Sequence, residues 1–208
     1  IDSLIEIADK WPNCTIIADE IYDGLDFSGK FCSVASRSET TSVIVLNGVS
    51  KVYFAPGWRV GYMALHDPCG NLNLVRDGIE RLLRSRLCAS TPAQYGFLAG
   101  LEEDSKWLNN HKKMVKERLD YCMRRISEID GLECEKPGAA FYLFVKLTKP
   151  ELAQDDKQFV LDLLNEKHVL VVHGSGFSSE FGNGHFRMVC LPSIEILSEA
   201  FDRISDFM

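Results

Sequence analysis

The chain has 208 residues, of which 25% are charged and 46% hydrophobic, and its formal net charge is −7. This length allows one domain with a sizeable core or two small ones, and the composition is that of an ordinary globular protein. The acidic balance argues against nonspecific binding to nucleic acid or to an anionic membrane, because both favour a basic protein face. No apolar run approaches the roughly 18 residues of a membrane span. We therefore expect neither nucleic acid nor a membrane as a partner.

The first residues, IDSLIEIADKW, place apolar side chains at helical spacing and predict an amphipathic helix. The sequence has no initiator methionine and starts inside this helical pattern. From this we expect a fragment of a longer protein.

Three short apolar runs follow: CTIIADEIY, SVIVLNG and RVGYMAL. Each is followed by turn residues and predicts a buried β-strand. The first run carries Asp19 and Glu20 at its carboxyl end. A helix followed by buried strands predicts an α/β sheet that is covered on both faces.

Helical patterns occupy the middle of the chain. There are three of them: 71–87, a stretch that begins at Pro92, and 107–129. In the last of these, regular apolar spacing predicts a long helix with a polar outer face. We place a domain boundary near residue 103, which gives an incomplete α/β part at 1–103 and a smaller α+β domain at 104–208.

The C-terminal part alternates between strands and helices. AAFYLFVKL, VLVVHG and HFRMVCL predict strands, whereas DKQFVLDLLNEK and SIEILSEAFDRISDFM predict helices. Ser193 stands where it would cap the last helix.

Cysteines and histidines are scattered singly, seven and five in number. No CxxC, HxH or HExxH spacing occurs, so neither a disulfide framework nor a metal site is predicted. Free thiols are typical of a reducing compartment, and we expect a cytoplasmic protein.

Lys51 lies in the stretch NGVSKVYFAPGWRVGY, directly after a predicted strand. A lysine at the buried end of a strand is costly unless it has a partner or a chemical role. Burial would favour the neutral, nucleophilic amine that Schiff-base chemistry needs. The alternative is a surface lysine beside a turn.

Arg59 follows the residues APGW, whose Pro-Gly turn could return it to the end of the sheet where Lys51 lies. A fixed guanidinium there would suit a phosphate or a carboxylate, which arginine binds through two parallel hydrogen bonds. Ser50 could add a hydroxyl donor. The alternative is a structural ion pair with one of the 30 acidic residues.

Three more residues are candidates for the same kind of site. Asp19 ends the first predicted strand and Tyr22 follows three residues later, so both could face one site if the chain coils there. A turn cap and a packed aromatic ring are the respective alternatives. Arg187 lies in mid-strand, where it would either face inward and need an anion or face outward into solvent.

Together these segments resemble one family, the class I and II pyridoxal-phosphate-dependent aminotransferases of fold type I. SKVYFAPGWRVGYM resembles the family's cofactor-lysine signature, and IIADEIYDGLDFSG resembles its Asp-Glu-x-Tyr segment. GAAFYLFVKL and VLVVHGSGFSSEFGNGHFRMVCLPS resemble its C-terminal domain. The resemblance implies the last part of the large α/β domain, with a mixed, mostly parallel sheet, followed by a small α+β domain.

The resemblance also implies a role for each candidate. Lys51 would form a Schiff base with pyridoxal 5'-phosphate and then move the substrate's proton as a general base. Asp19 would keep the pyridine nitrogen protonated, and Tyr22 would hydrogen-bond the phenolic oxygen. Ser50 and Arg59 would hold the phosphate.

Arg187 is implied to clamp the α-carboxylate of an amino-acid or 2-oxo-acid substrate. NGVSKVYFAPGWR is most similar to alanine aminotransferases, which implies amino transfer between L-alanine and 2-oxoglutarate. The same residues would serve a pyridoxal-phosphate-dependent C–S lyase or another elimination enzyme. A truncated homologue without catalytic activity is a further alternative.

Two positions depart from the family pattern. Gly48 stands where many relatives have a serine that adds to phosphate binding, and His173 stands where the pattern usually has proline. Relatives are also longer and form homodimers. We therefore expect that the chain is the C-terminal half of a homodimeric enzyme and has little activity alone, because half of the cofactor's contacts would be missing.

Overall fold

A computed structural model describes residues 1–103 and 106–208. The chain forms two compact units, Ile1–Leu108 and Asn109–Met208. The domain boundary predicted after residue 103 falls at Asp104 and Ser105, which lie outside the described residues. Within those residues, no helix combines the length and the apolarity that a membrane crossing requires.

The first unit contains a three-stranded sheet. Its elements are α1 (Asp2–Ala8), β1 (Thr15–Asp19), β2 (Ser42–Gly48), β3 (Gly61–His66), α2 (Asn73–Arg86), α3 (Thr91–Glu102) and the start of α4 (Lys106–Ser127). The strand order is β1-β2-β3, in which β1 runs parallel and β3 antiparallel to β2. The sheet is therefore mixed, and its central strand is the second apolar run of the sequence.

Burial differs strongly between the three strands. Val43, Val45 and Ala18 form a core cluster on one face. By contrast, Ile17 of β1 is 66% exposed, and β3 is exposed from Gly61 to Ala64. The prediction of three buried strands in a sheet covered on both faces is therefore wrong for β1 and β3. Only β2 has a hydrogen-bonded strand on each side, and β1 and β3 are the edges.

Two glycines face each other where β2 and β3 begin to separate. Gly48 pairs with Gly61. A Cβ atom on Gly48 would lie 2.7 Å from the Val60 carbonyl oxygen, and one on Gly61 would lie 2.7 Å from the Asn47 carbonyl oxygen. This close backbone approach gives a physical reason for glycine at position 48 in this chain.

The second unit contains an antiparallel sheet. Its elements after α4 are β4 (Leu132–Glu133), β5 (Tyr142–Leu147), α5 (Pro150–Ala153), α6 (Asp156–Lys167), β6 (Val172–His173), β7 (His185–Val189) and α7 (Ile194–Phe207). The strand order is β4-β5-β7-β6. One face packs into the core through the alternating buried residues Leu143, Val145, Leu147, Phe186 and Met188. The opposite face of β5 and β7 carries the aromatic and charged side chains.

Several predicted elements of this unit differ in detail. β4 and α5 were missing from the prediction, because a two-residue strand and a single turn leave no periodic pattern. Ser193 occupies the N-cap position of α7, but its hydroxyl accepts no hydrogen bond from the helix backbone. It bonds to Glu195 instead, and this hydrogen bond lowers the pKa of that carboxyl group. Asp155 does cap α6, where the backbone N–H of Gln158 donates to its Oδ1 atom at 2.9 Å.

Candidate functional site

The candidate residues of the first unit lie at one end of its sheet. β1 and β2 are parallel, with Asp19 beside Leu46, so the chain leaves both strands at the same edge. β3 runs antiparallel to β2 and therefore enters at this edge, with Gly61 beside Gly48. The predicted site residues lie in the segments that meet there, and they are Asp19, Tyr22, Ser50, Lys51 and Arg59.

Lys51 has an amine that is near Tyr22 and has no acidic partner. Its side chain is half-buried, and the Nζ atom lies 6.0 Å from the centre of the Tyr22 ring. Among residues 1–103 and 106–208, no carboxylate forms an ion pair with this amine. The structure therefore places an unpaired cation beside an aromatic phenol at the edge of the sheet.

A tight loop brings Arg59 back to the same edge. A 3₁₀ helix spans Pro56–Trp58, and the backbone N–H of Val49 donates to the Val60 carbonyl oxygen at 3.2 Å. Arg59 itself has a left-handed backbone conformation, with φ 56° and ψ 41°. Only a few per cent of residues other than glycine adopt positive φ, and such strain concentrates at functional sites.

The Arg59 guanidinium is held by the backbone of its own loop. Its Nη1 atom donates to the Pro56 carbonyl oxygen at 2.7 Å. No ion pair joins Arg59 to an acidic residue within the part of the chain that is described. The described residues therefore do not support the alternative of a structural ion pair. The guanidinium keeps further N–H donors for an anion.

Asp19 and Glu20 have different surroundings. The Glu20 Oε1 atom accepts hydrogen bonds from the Ser33 hydroxyl at 3.0 Å and from the Val34 backbone N–H at 2.9 Å. Glu20 thus fastens the 3₁₀ helix Val34–Ser36. Asp19 is exposed and accepts a long hydrogen bond of 3.3 Å from the Ile21 backbone N–H. Asp19 therefore caps a turn, as its alternative role predicted, while Glu20 caps a separate 3₁₀ helix. Asp19 keeps most of its acceptor capacity.

A polar network beside this edge was not predicted from the sequence. The Asp23 carboxylate accepts from the Asn47 amide at 2.9 Å and from the Gly24 backbone N–H at 2.6 Å. Burial, followed by the negative charge of Asp23, raises the pKa of Tyr62. A polar asparagine at the end of the apolar run SVIVLNG was the available signal, since such a residue needs a partner when it is half-buried.

An aromatic cavity of about 540 Å³ lies in the same unit. Tyr53 stacks on Trp107 with ring centres 5.7 Å apart and meets Phe97 edge-on at the same distance. Trp58 and Ala55 of the Arg59 loop also line this cavity. The predicted site residues do not line this cavity. We therefore leave it out of the candidate site and regard its aromatic lining as support for the Arg59 loop.

Arg187 belongs to the second unit and is half-buried in β7. Its guanidinium carbon lies 4.6 Å from the centre of the Tyr142 ring and 4.6 Å from that of Phe177. Its Nε atom is buried and, among the described residues, has no hydrogen-bond partner. A buried donor without a partner costs about 1–3 kcal/mol. This arginine therefore lacks an acceptor, and it lines a cavity of about 910 Å³.

His173, for which the sequence indicated no role, lies in β6 and is half-buried. Its Nδ1 atom is 2.9 Å from the Ser175 hydroxyl oxygen, and its ring lies 3.0 Å from the place where a Cβ of Gly176 would stand. These contacts describe a packed histidine beside a glycine loop.

A sequence model of the family described as "Aminotransferase class I and II" matches residues 1–204. The chain belongs to the class I and II aminotransferases. Members of this family depend on pyridoxal phosphate. The resemblance inferred from the sequence motifs is confirmed by this match.

Individual aminotransferases show the same similarity. The chain is 33% identical to the glutamate-pyruvate aminotransferase AlaA of Haemophilus influenzae, over 100% of this chain and 52% of that protein. It is 32% identical to an alanine aminotransferase of Mycobacterium tuberculosis, over 100% of this chain and 49% of that protein. The solved alanine aminotransferase of Pyrococcus furiosus is 48% identical, with a TM-score of 0.93 over 99% of this chain and 52% of that one. The predicted α/β fold is confirmed.

The chain spans about half the length of the aminotransferases that it matches. A solved aspartate aminotransferase of Thermotoga maritima is also similar, at 35% identity and a TM-score of 0.83, over 99% of this chain and 50% of that one. Relatives that are named for different amino donors are thus all similar to this chain over about half of their own length.

The residues present fit the cofactor of this family. The donor set at the edge of the first sheet comprises an unpaired amine, a phenol, an exposed carboxylate and an arginine without an acidic partner among the described residues. Pyridoxal phosphate presents an aldehyde, a phenolic oxygen, a ring nitrogen and a phosphate, and each of these groups has a chemically matching residue in this aminotransferase.

Proposed function

We propose that the protein is a pyridoxal-phosphate-dependent aminotransferase that transfers an amino group between an L-amino acid, in first place L-alanine, and 2-oxoglutarate. The observation that carries this proposal is the amine of Lys51, which lies 6.0 Å from the Tyr22 ring. It stands at the sheet edge where Asp19 and Arg59 also lie. In a member of the aminotransferase family, that set of residues is the expected cofactor anchor.

When bound, pyridoxal phosphate supplies an aldehyde for amino-group exchange and a ring that accepts electrons from the substrate's α-carbon. In our proposal Arg59 and Ser50 bind the phosphate, because the guanidinium has further donors besides the one bound to Pro56 and a hydroxyl can also donate. The Arg59 loop carries its own backbone restraint, which holds the guanidinium in place before an anion arrives.

Lys51 would bind the cofactor aldehyde through Nζ and later remove the proton from the substrate's α-carbon. Asp19 would hold a proton on the pyridine nitrogen, because an ionised carboxylate stabilises a neighbouring positive charge. Tyr22 would donate its hydroxyl hydrogen to the phenolic oxygen. These assignments use one amine for both attachment and proton transfer.

Arg187 would bind the α-carboxylate of the substrate. Its buried Nε atom lacks an acceptor among the residues described, and a carboxylate is the ligand that matches the fork geometry of arginine. The similarity to alanine and glutamate-pyruvate aminotransferases supports the choice of L-alanine. The similarity to an aspartate aminotransferase leaves the amino donor to be measured.

We further propose that the enzyme is a cytoplasmic homodimer, in which 1–103 belong to the cofactor domain and 104–208 to the small C-terminal domain. The family resemblance supports the dimer, and the free state of the cysteines supports a reducing compartment.

The test uses the protein that carries this sequence, with pyridoxal phosphate, L-alanine and 2-oxoglutarate. We expect equal amounts of pyruvate and glutamate, and borohydride reduction should add the cofactor mass to the peptide that contains Lys51. A Lys51→Ala variant should lose both signals. Release of pyruvate, ammonia and sulfide from L-cysteine, with no glutamate formed from L-alanine, would instead identify a C–S lyase.

A further inference from the structure

Two aromatic rings lie close to the Arg187 guanidinium. Its carbon atom lies 4.6 Å from the ring centres of both Tyr142 and Phe177. Both distances are within the range in which a cation is attracted to the face of an aromatic ring. Tyr142 comes from β5 and Phe177 from the loop after β6, so the two rings reach the arginine from separate elements.

The loop that carries Phe177 is firmly fixed. The Phe177 backbone N–H donates to the Gly174 carbonyl oxygen at 2.8 Å. The Ser175 backbone N–H donates to the carboxylate of Asp156 at 2.6 Å, and Asp156 is only 4% exposed. Side chains larger than hydrogen at Gly174 or Gly182 would collide with backbone carbonyl groups. Phe177 is nevertheless 52% exposed, so the loop holds a large apolar ring partly in solvent.

Several aromatic rings of the described residues are exposed to a similar degree, and Phe177 is distinguished by its neighbours. Phe177 contacts Phe144 edge-on, with ring centres 6.0 Å apart and planes at 84°, and Phe144 stands directly across the strand pair from Arg187. The Phe177 ring therefore contacts both the arginine and its neighbour across the strand pair.

Tyr142 lies on the same sheet face as Arg187. Its strand partner is Val189, two residues after the arginine, and alternation along β7 puts both side chains on one face. Its ring packs at 4.7 Å against the buried Phe141. The ring thus rests on the core and offers its face to the guanidinium.

We propose that Tyr142 and Phe177 are positioning residues that restrain the Arg187 guanidinium so that its N–H groups are presented to a substrate carboxylate. This rests on the proposed function, in which Arg187 binds the α-carboxylate. The N–H groups of a guanidinium point within its own plane, so ring contacts near its carbon atom leave those donors available for a bidentate carboxylate pair. Restraint before binding lowers the entropy that is lost when the substrate is fixed.

The experiment compares variants that remove a ring with variants that keep it. Tyr142→Leu and Phe177→Leu remove a ring, whereas Tyr142→Phe and Phe177→Tyr keep one. Phe181→Leu is the matched control, because Phe181 lies in the same loop and is exposed without a ring contact to Arg187. Thermal unfolding of each variant checks that the fold is retained.

The first readout needs no activity. Phenylglyoxal modifies accessible guanidinium groups, and mass spectrometry of the peptide containing Arg187 gives the rate, with the exposed Arg81 as internal standard. We expect severalfold faster labelling of Arg187 in both leucine variants and no change in the ring-keeping variants or in Phe181→Leu. Equal labelling rates in parent and leucine variants would refute the proposal that the two rings restrain Arg187.

The second readout is steady-state transamination of L-alanine. Loss of one ring should raise KM for L-alanine about 3- to 30-fold, with unchanged cofactor mass on the Lys51 peptide after borohydride reduction. The ring-keeping variants should have the parent's KM. An active parent whose leucine variants label faster but keep their KM would overturn the positioning role. A parent without transamination would refute the proposed function, and the labelling rates would still decide whether the rings hold Arg187.

Discussion

The two units hold their unpaired arginines in different ways. In the first unit, Arg59 is fixed by the backbone, through a 3₁₀ turn, a left-handed φ of 56° and a 2.7 Å hydrogen bond to Pro56. In the second unit, Arg187 is an ordinary strand residue whose guanidinium carbon lies 4.6 Å from the centres of two aromatic rings. Both guanidinium groups lack an acidic partner among the described residues, yet one depends on chain geometry and the other on side-chain packing.

This difference has consequences for mutation. A backbone-held cation is sensitive to changes that alter the loop or the close approach of its strands, even where no side chain is removed. A ring-held cation tolerates backbone change at a distance but depends on the identity of two aromatic residues. The contrast between the two units can be tested by mutation, and the largest effect is expected at Lys51 of the first unit.

Replacing Lys51 by alanine should have the largest effect. The proposed role in proton transfer predicts a loss of about 10²- to 10⁴-fold in turnover, together with loss of cofactor mass on the reduced peptide. The exposed Lys30→Ala in the same unit is the control and should behave like the parent. An active Lys51→Ala enzyme would show that the sheet edge of the first unit is not the catalytic site. The comparison between the two units would then lose its basis.

Arg59→Ala should weaken binding of pyridoxal phosphate about 10- to 100-fold, as expected for the loss of charged hydrogen bonds to a phosphate. Equilibrium titration of cofactor absorbance measures the change. Arg59→Lys keeps the charge but loses the fork, and we expect an intermediate affinity. If Arg59→Ala bound the cofactor like the parent while Tyr142→Leu did not, the roles assigned to the two regions would be reversed.

Gly48→Ala should destabilise the protein by about 1–3 kcal/mol, which is typical of overpacking. The new Cβ would lie 2.7 Å from the Val60 carbonyl oxygen and 2.8 Å from the Gly61 Cα. Gly57→Ala in the same segment is the control, because nothing lies within 4 Å of its Cβ position. Denaturant unfolding gives both values. Equal midpoints for the two variants would mean that the backbone approach does not restrain the first region.

The sequence predicted most of what has a regular pattern. The amphipathic helix α4 and the central strand β2 follow from apolar spacing, and the cofactor-lysine segment resembled its family through local motifs. These features depend on residues close together in the chain, which a single sequence displays directly.

The parts that were missed depend on contacts between distant residues. Nothing in the local sequence shows that Phe177 meets Arg187, or that Asp23 meets Asn47, because each pair forms only after the strands are in register. The exposure of β3 is another case, since the apolar run looks the same whether or not its faces are covered. The role of Glu20 is a further case, because Ser33 and Val34 return to it from later in the chain.

The smallest expected effect is a local loss of stability at acid pH. Asp26 fastens the loop after Tyr22 by accepting hydrogen bonds from the Ser28 hydroxyl at 2.7 Å and from the backbone N–H groups of Lys30 and Phe31 at 2.8 and 2.9 Å. The Ser28 hydroxyl, followed by the backbone donors, lowers the pKa of Asp26 from 3.8 to about 2. A lowered folded-state pKa means that the contribution is complete above pH 3.8 and is lost as the pH falls through about 2.

Amide hydrogen exchange between pH 5 and pH 2, corrected for intrinsic rates, should therefore show opening of the segment 26–31 at the acid end. The strand segment 142–147, which carries Tyr142 beside Arg187, should keep its protection, because its backbone hydrogen bonds to β7 involve no carboxylate. Ser28→Ala removes the first cause of the shift, so the pKa of Asp26 should rise and the segment should open at a higher pH. Equal acid sensitivity of both segments would contradict this prediction, because the segment 26–31 is fastened to the Asp26 carboxylate and the strand 142–147 is not.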